Sequence, residues 1–91
     1  MKEKYIVLVI YDISNDKQRR RVDKYLQKYG TRVQKSAFES IMTKNLYEEM
    51  IRGLKMILNE EDDIRIYKMY DYDNIKLFGS KPIKEDDFVV V

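Results

Sequence analysis

The 91-residue chain has no cysteine, no histidine and no tryptophan. Without cysteine there is no thiolate nucleophile, no zinc ribbon and no disulfide scaffold. The lack of histidine excludes imidazole acid–base chemistry and paired-histidine RNA cleavage. Any reaction must therefore run on carboxylates, hydroxyls, basic side chains, or a metal held by oxygen. No segment approaches the roughly 18–20 consecutive apolar residues of a membrane span. The apolar run after Met1-Lys2-Glu3-Lys4 stops at Tyr11-Asp12 with no small-residue cleavage site, so its likeness to a signal peptide is superficial. A cytoplasmic protein with no membrane partner is expected. Glycine is scarce as well, with three residues and no glycine-rich ligand loop.

What is present suffices for one domain. Hydrophobic residues make up 44% of the chain, enough for a core without covalent staples. The net charge of +2 conceals an asymmetry. Between Asn15 and Lys35 stand eight bases and two acids, whereas from Asn59 to Val91 five bases face nine acids. Basic surface is concentrated near the front of the chain, where a polyanion would bind. The single proline, Pro82, marks the one plausible linker. It separates a domain over residues 1–79 from a C-terminal extension over 80–91, ending in Phe88-Val89-Val90-Val91. That ending is too apolar to dangle and is expected to add to a sheet edge, the partner chain's included.

Tyr5 to Tyr11 is apolar throughout and rich in β-branched residues, the pattern of a central strand buried on both faces. Asn15, with Gln18 three residues on, supplies helix N-cap chemistry. Val22, Tyr25, Leu26 and Tyr29 then form one apolar stripe, and Gly30 suits the left-handed position after a helix end. Thr31 to Met42 reads as extended, either two short strands or one broken by a bulge. Thr43 caps a second helix bearing Leu46, Met50, Leu54, Ile57 and Leu58, weakened modestly by Gly53. Ile64–Tyr70 and Asn74–Phe78 read as strands, with a further one at the C-terminus. The order predicts an α+β, ferredoxin-like βαββαβ sandwich with extra C-terminal strands. Two helices would cover one face of its antiparallel sheet. Eight tyrosines suit a half-wet second face, and a homodimer follows as an expectation.

Ferredoxin-like folds serve many activities, so function must come from residues. Here the first strand ends in Tyr11-Asp12, followed by Ile13-Ser14-Asn15-Asp16 and by Arg19 and Arg21. After the helix comes Gly30-Thr31-Arg32-Val33-Gln34-Lys35-Ser36-Ala37-Phe38-Glu39. Over essentially its whole length the chain resembles the CRISPR-associated protein two family, the small adaptation protein that accompanies the CRISPR integrase. That resemblance implies a homodimeric, metal-dependent phosphodiesterase acting on RNA or duplex DNA. It also implies a scaffold role, the dimer sitting between integrase dimers. The family's essential aspartate falls on Asp12 and the tyrosine before it on Tyr11. Its helix arginines fall on Arg19 and Arg21, its strand arginine on Arg32, and its serine and aromatic on Ser36 and Phe38. Ala37 departs from the larger β-branched residue that is commoner there, which touches packing alone.

Asp12 can be weighed without the family. A lone carboxylate is a poor Mg²⁺ site, because this ion takes six oxygen ligands and usually one or two carboxylates. A two-fold axis near Asp12 would bring a second one, so that Mg²⁺ or Mn²⁺ could activate water and polarise the scissile phosphate. The Ser36 hydroxyl would orient that water. The competing reading makes Asp12 a helix-capping acid. On a wheel stepped about 100° per residue from Val22, Arg19 falls at about 60°, Arg20 at about 160° and Arg21 at about 260°. Arg20 thus reads as plain solvated surface, while Arg19 and Arg21 flank the apolar stripe and suit bidentate phosphate contacts. Their alternative is salt bridging to Asp16 or Asp23. Phe38 either stacks on a base or belongs to the core, and no interleaved base-reading surface is present. Three other functions stay open: a non-catalytic scaffold, a toxin-type ribonuclease of the same fold, and a metabolite-binding regulatory domain.

Overall fold

The computed structural model describes residues 4–70, 76 and 78. Six elements follow in the expected order: β1 (Lys4–Asp12), α1 (Asp16–Leu26), β2 (Thr31–Gln34), β3 (Ala37–Thr43), α2 (Lys44–Ile57) and β4 (Asp63–Met69). They form one antiparallel sheet in the order β2-β3-β1-β4 with both helices on one face, the ferredoxin-like arrangement. The expected strand over Asn74–Phe78 lies outside the described residues except for Lys76 and Phe78, which belong to no element. The C-terminal extension over 80–91 also lies outside them.

Strand β1 is central and alternates. Tyr5, Val7, Val9 and Tyr11 are buried toward the helices with Val22, Leu26, Phe38, Met42, Met50 and Leu54. The opposite face carries Ile6, Leu8, Ile10 and Asp12. Burial on both faces holds only part-way along. Ile6 is buried with Ile41 against Met69, whereas Ile10 is 42% exposed. Full burial of one such side chain contributes about 1.5–3 kcal/mol, so the helix face carries most of the stabilisation.

The helix signals act as read. The Asn15 side chain accepts from the Gln18 backbone N–H at 2.8 Å, and Thr43 accepts from that of Leu46 at 3.4 Å. Helix α1 ends at Leu26, so Tyr29 extends the apolar stripe from the following turn. Residues 31–43 resolve into two strands, with an irregularity between Arg32 and Gln34. Gly30 differs from expectation, since its backbone lies outside the left-handed region. Its need for glycine comes instead from close approach: a Cβ there would stand 2.5 Å from the Glu39 carbonyl oxygen. Lys68, on edge strand β4, turns its ammonium over the Tyr5 and Tyr47 rings at 4.6 and 5.1 Å, a cation–π contact that occupies an inward-pointing edge charge.

At Gly53, α1 and α2 are in close contact. The Tyr25 hydroxyl fills the space of a Cβ, at 1.9 Å from its ideal position, and donates to the Met50 carbonyl at 3.1 Å. Alanine normally gains about 1 kcal/mol over glycine inside a helix. Here overpacking against a rigid ring costs about 1–3 kcal/mol and outweighs that gain. Gly53→Ala is therefore expected to lower the thermal melting midpoint, and Gly53→Ala combined with Tyr25→Ala to recover the helix-propensity gain.

Candidate metal and nucleic-acid site

Alternation along β1 places Tyr11 and Asp12 on opposite sides of the sheet. Asp12 is exposed on the helix-distal face at the strand end. The residue paired with it across the sheet is Asp63, first of β4. Residues directly opposed in an antiparallel ladder stand about 4.5–5.5 Å apart at Cα. Both acids line a shallow cleft of about 270 Å³ with Ile10, Arg65 and Tyr67. Among the described residues neither carboxylate forms an ion pair. Asp12 does not cap α1 either, because Asn15 performs that task.

Asp63 had no motif to announce it in the sequence, only a charged turn. Its position is set by a contact between distant segments. The buried Gln18 amide donates to the Ile57 carbonyl at 2.7 Å and to Asp62 Oδ2 at 2.8 Å. Asp62 Oδ2 also accepts from the Asn59 backbone N–H at 2.9 Å. The turn between α2 and β4 is thus tied to the first turn of α1, and β4 starts level with the end of β1. Ser36 is brought alongside as well, its carbonyl accepting from the Tyr11 backbone N–H at 3.1 Å. It lies in the turn between β2 and β3, close to Asp12 in the sheet.

Two carboxylates opposed on a wet surface suit a hard divalent cation, which takes oxygen ligands and fills its remaining positions with water or phosphate. Like charges directly opposite each other also destabilise a strand pair, a penalty that such an ion relieves. Among the described residues no set of three metal-ligating side chains gathers. The remaining ligands would be water, a substrate phosphate or a second protomer.

The other expected site residues fall elsewhere. Tyr11 is in the core on the helix side, where its hydroxyl donates to Asp23. Although Tyr11 also borders the Asp12 cleft, its hydroxyl is turned to the other side of the sheet, a correction to the expected catalytic grouping that follows from the period of two. Phe38 is 2% exposed and packs 6.3 Å from the Tyr11 ring. With both faces covered, it has none left for a base. Asp23, 8% exposed, also draws Arg32 Nη1 to 3.4 Å. Arg19, whose side chain is 22% exposed, pairs with Asp16 at 2.8 Å. The salt-bridge alternative, weighed for Arg19 and Arg21, therefore holds for Arg19, and Arg32 is tied to Asp23 as well. Arg21 lies on the other flank of α1, exposed, in a cleft that it shares with Lys17, Arg20 and Lys24. Arg20 is thus part of a basic cleft rather than isolated surface.

A scan against family models matches residues 5–76 to CRISPR associated protein Cas2. The chain belongs to that family. It is 36% identical over 87 residues to the CRISPR-associated endoribonuclease Cas2 of Mycobacterium tuberculosis (strain CDC 1551 / Oshkosh), covering 94% of this chain and 77% of that one. Identity to a CRISPR-associated endonuclease Cas2 of Thermus thermophilus is 32%, covering 90% of each. Among solved structures, a crystal structure of Cas2 superposes with a TM-score of 0.74 at 30% identity, covering 89% of this chain and 95% of the other. The fold also matches a chain of a partial Cas6-RT-Cas1–Cas2 complex, with a TM-score of 0.63 at 33% identity over 70% of this chain and 77% of that one. No helix among the described residues is long and apolar enough to cross a membrane.

Burial, then the hydrogen bond to Asp23 and its negative charge, push the Tyr11 hydroxyl well above the ordinary tyrosine range. Tyr29 is raised in the same direction by burial and by its bond to Glu49. For a group raised on folding, the stabilisation is complete below its unfolded value, about 10 for tyrosine, and is lost as pH climbs beyond it. The melting midpoint is expected to fall as pH rises above that value. Tyr11→Phe should flatten the alkaline fall without abolishing it, because Tyr29 still titrates, and should lower the midpoint at neutral pH. Thermal melts followed by circular dichroism across an alkaline series check this.

Proposed function

We propose that this chain is a CRISPR adaptation protein whose homodimer holds nucleic acid by its backbone and hydrolyses phosphodiester bonds at Asp12. The observation that carries the reading is Asp12 on the exposed sheet face, without an ion pair among the described residues and with Asp63 directly across from it. The names of the relatives, endoribonuclease and endonuclease, support the same reaction class on RNA or duplex DNA. The Cas1–Cas2 complex among the matched structures supports the CRISPR integrase as partner. Exposed Ile10 and Tyr67, the latter 46% accessible, flank the acids and suit a second copy of this chain.

In this site Asp12 and Asp63 would hold Mg²⁺ or Mn²⁺. The bound ion would supply a Lewis acid for the phosphate and for the attacking water. The chain's own part is to hold two carboxylates at one strand end by β1–β4 pairing. Arg65, on the same cleft, is placed to meet a phosphate oxygen. Ser36 stands near enough in the sheet to orient a water. Arg21, without an ion pair among the described residues, can grip the sugar–phosphate chain, whereas Arg19 and Arg32 would first have to exchange Asp16 and Asp23 for phosphate.

A second reading, the non-catalytic scaffold, is favoured by one specific observation. Tyr11 and Phe38 are locked in the core, and Arg32 is tethered to Asp23. Cleavage and integrase binding tell the two apart. Asp12→Asn is expected to abolish Mn²⁺-dependent cleavage of single-stranded RNA and duplex DNA while leaving integrase pull-down intact. Asp63→Asn is expected to weaken Mn²⁺ binding, measured by calorimetry, by about tenfold, or about 1.4 kcal/mol. It should also raise the metal-free melting midpoint, since a like-charge pair is removed. Cleavage that persists in Asp12→Asn, or that ignores chelator, would leave the scaffold alone standing.

A further inference from the structure

The rung that joins Asp12 to Asp63 is the last of the β1–β4 ladder. The ends of elements open most readily, because no further pairing beyond them has to be broken. This rung also sets two carboxylates face to face, which drives the strand ends apart. Keeping both acids together therefore calls for tethers outside the ladder. On the β1 side, the Tyr11 backbone N–H donates to the Ser36 carbonyl at 3.1 Å. On the β4 side, the tether is made by side chains.

Gln18 is 8% exposed and lies in the first turn of α1, where its backbone N–H donates to the Asn15 side chain at 2.8 Å. In a capping box its own side chain would turn back to the Asn15 backbone. Here both amide hydrogens go instead to the connection between α2 and β4. One is donated to the Ile57 carbonyl at 2.7 Å and the other to Asp62 Oδ2 at 2.8 Å. Ile57 is the last residue of α2, so its carbonyl is one that the helix itself leaves unsatisfied. Asp62 in turn closes its own turn twice. Its Oδ2 accepts from the Asn59 backbone N–H at 2.9 Å, and its backbone N–H donates to the Asn59 carbonyl at 3.1 Å. The residue that follows this closed turn is Asp63.

We propose that Gln18 and Asp62 are positioning residues for a divalent cation at Asp12 and Asp63, a latch that holds the Asp63 carboxylate against the repulsion of its neighbour. The inference rests on the reading that those two acids bind the ion, and it adds what keeps them together before the ion arrives. Gln18 carries no charge, so its effect on the ion is geometric. Asp62 acts through its acceptor oxygen, which is spent on Gln18 and Asn59. A ligand already held in place loses less freedom on binding, and the site gains affinity by that difference.

Calorimetric titration with Mn²⁺, beside amide exchange in chelator, tests the latch. Gln18→Met keeps the length of the side chain and removes both donations. Asp62→Ala removes the acceptor from the other end, and serves if the first variant folds poorly. Each is expected to weaken Mn²⁺ binding by about three- to tenfold, near the low end for partners that orient a metal ligand. Each should also speed amide exchange over residues 62–64 in the metal-free protein. Asp62→Asn keeps an oxygen that can accept from both donors, and should bind Mn²⁺ like the wild type. In an Asp63→Asn background, Gln18→Met should add little further loss, because the side chain it holds no longer binds. Gly53→Ala, expected to lower the melting midpoint away from the site, should leave the affinity unchanged. Equal losses from Asp62→Asn and Asp62→Ala would overturn the proposal in favour of through-space charge. An affinity that merely follows the melting midpoint across these variants, Gly53→Ala included, would overturn it too. Wild-type affinity in both Gln18→Met and Asp62→Ala would remove the latch and leave the ion reading in place. A wild-type chain that binds no Mn²⁺ would sink the ion reading, and the positioning role with it.

Discussion

The period of two along β1 is the constraint on which everything else depends. It sends Tyr11 into the core and Asp12 into solvent, although the two are neighbours in the chain. One residue of slip would reverse both, burying a carboxylate and exposing an apolar strand face. Three features hold the register. The ladders to β3 and β4 run the length of the strand, the core side chains fill one face, and Tyr11 reaches Asp23 on α1.

Asp23 shows how a charged residue can belong to a fold rather than to a reaction. It is buried and acidic, and it lies beside two residues that a motif reading groups with Asp12. Its carboxylate is nevertheless satisfied by Tyr11 and Arg32. A buried charge with two donors has little left to offer a ligand, and removing either donor would strand it. The same contact engages the buried Tyr11 hydroxyl and tethers Arg32, whose side chain stays partly exposed. Asp12 and Asp63 are the opposite case: opposed, exposed and without an ion pair among the described residues, although Arg65 lines the same cleft. Such a pair is a liability to the strands and an opportunity for a divalent cation.

Charge is divided between the two surfaces of the domain by the helix rather than by composition. Both acids of α1 fall on the flank facing the Tyr11 end of the sheet, while its outward cations line connected clefts. The acidic cleft and this basic surface are therefore separated by the thickness of the sheet and α1. A polyanion held on one is not automatically presented to the other. Any joint action on one nucleic acid would need a second copy of this chain or a bend in the ligand.

The order of elements, both helix caps, the apolar stripes and the placement of Asp12 at a strand end were legible in the sequence. They depend on spacing within about a dozen residues, which local periodicity reports directly. So was family membership, carried by the residues around Tyr11-Asp12 and Arg32 to Phe38. What the sequence could not show was which distant side chains meet. Asp63 stands 51 positions after Asp12 and meets it through the β1–β4 ladder, while Gln18 ties the α2–β4 turn to α1. Gly53 looked like a weak point in a helix until the Tyr25 hydroxyl was found in the space a Cβ would fill. Arg19 and Arg21, two residues apart, end on different flanks, Arg19 paired with Asp16 and Arg21 without an ion pair among the described residues. Sequence alone determined the elements and their chemistry, whereas tertiary packing decided which charges were spent within the fold and which were left for a ligand. The physical reason is that pairing energies depend on distance and burial, and for these residues both are set by contacts between segments far apart in the chain.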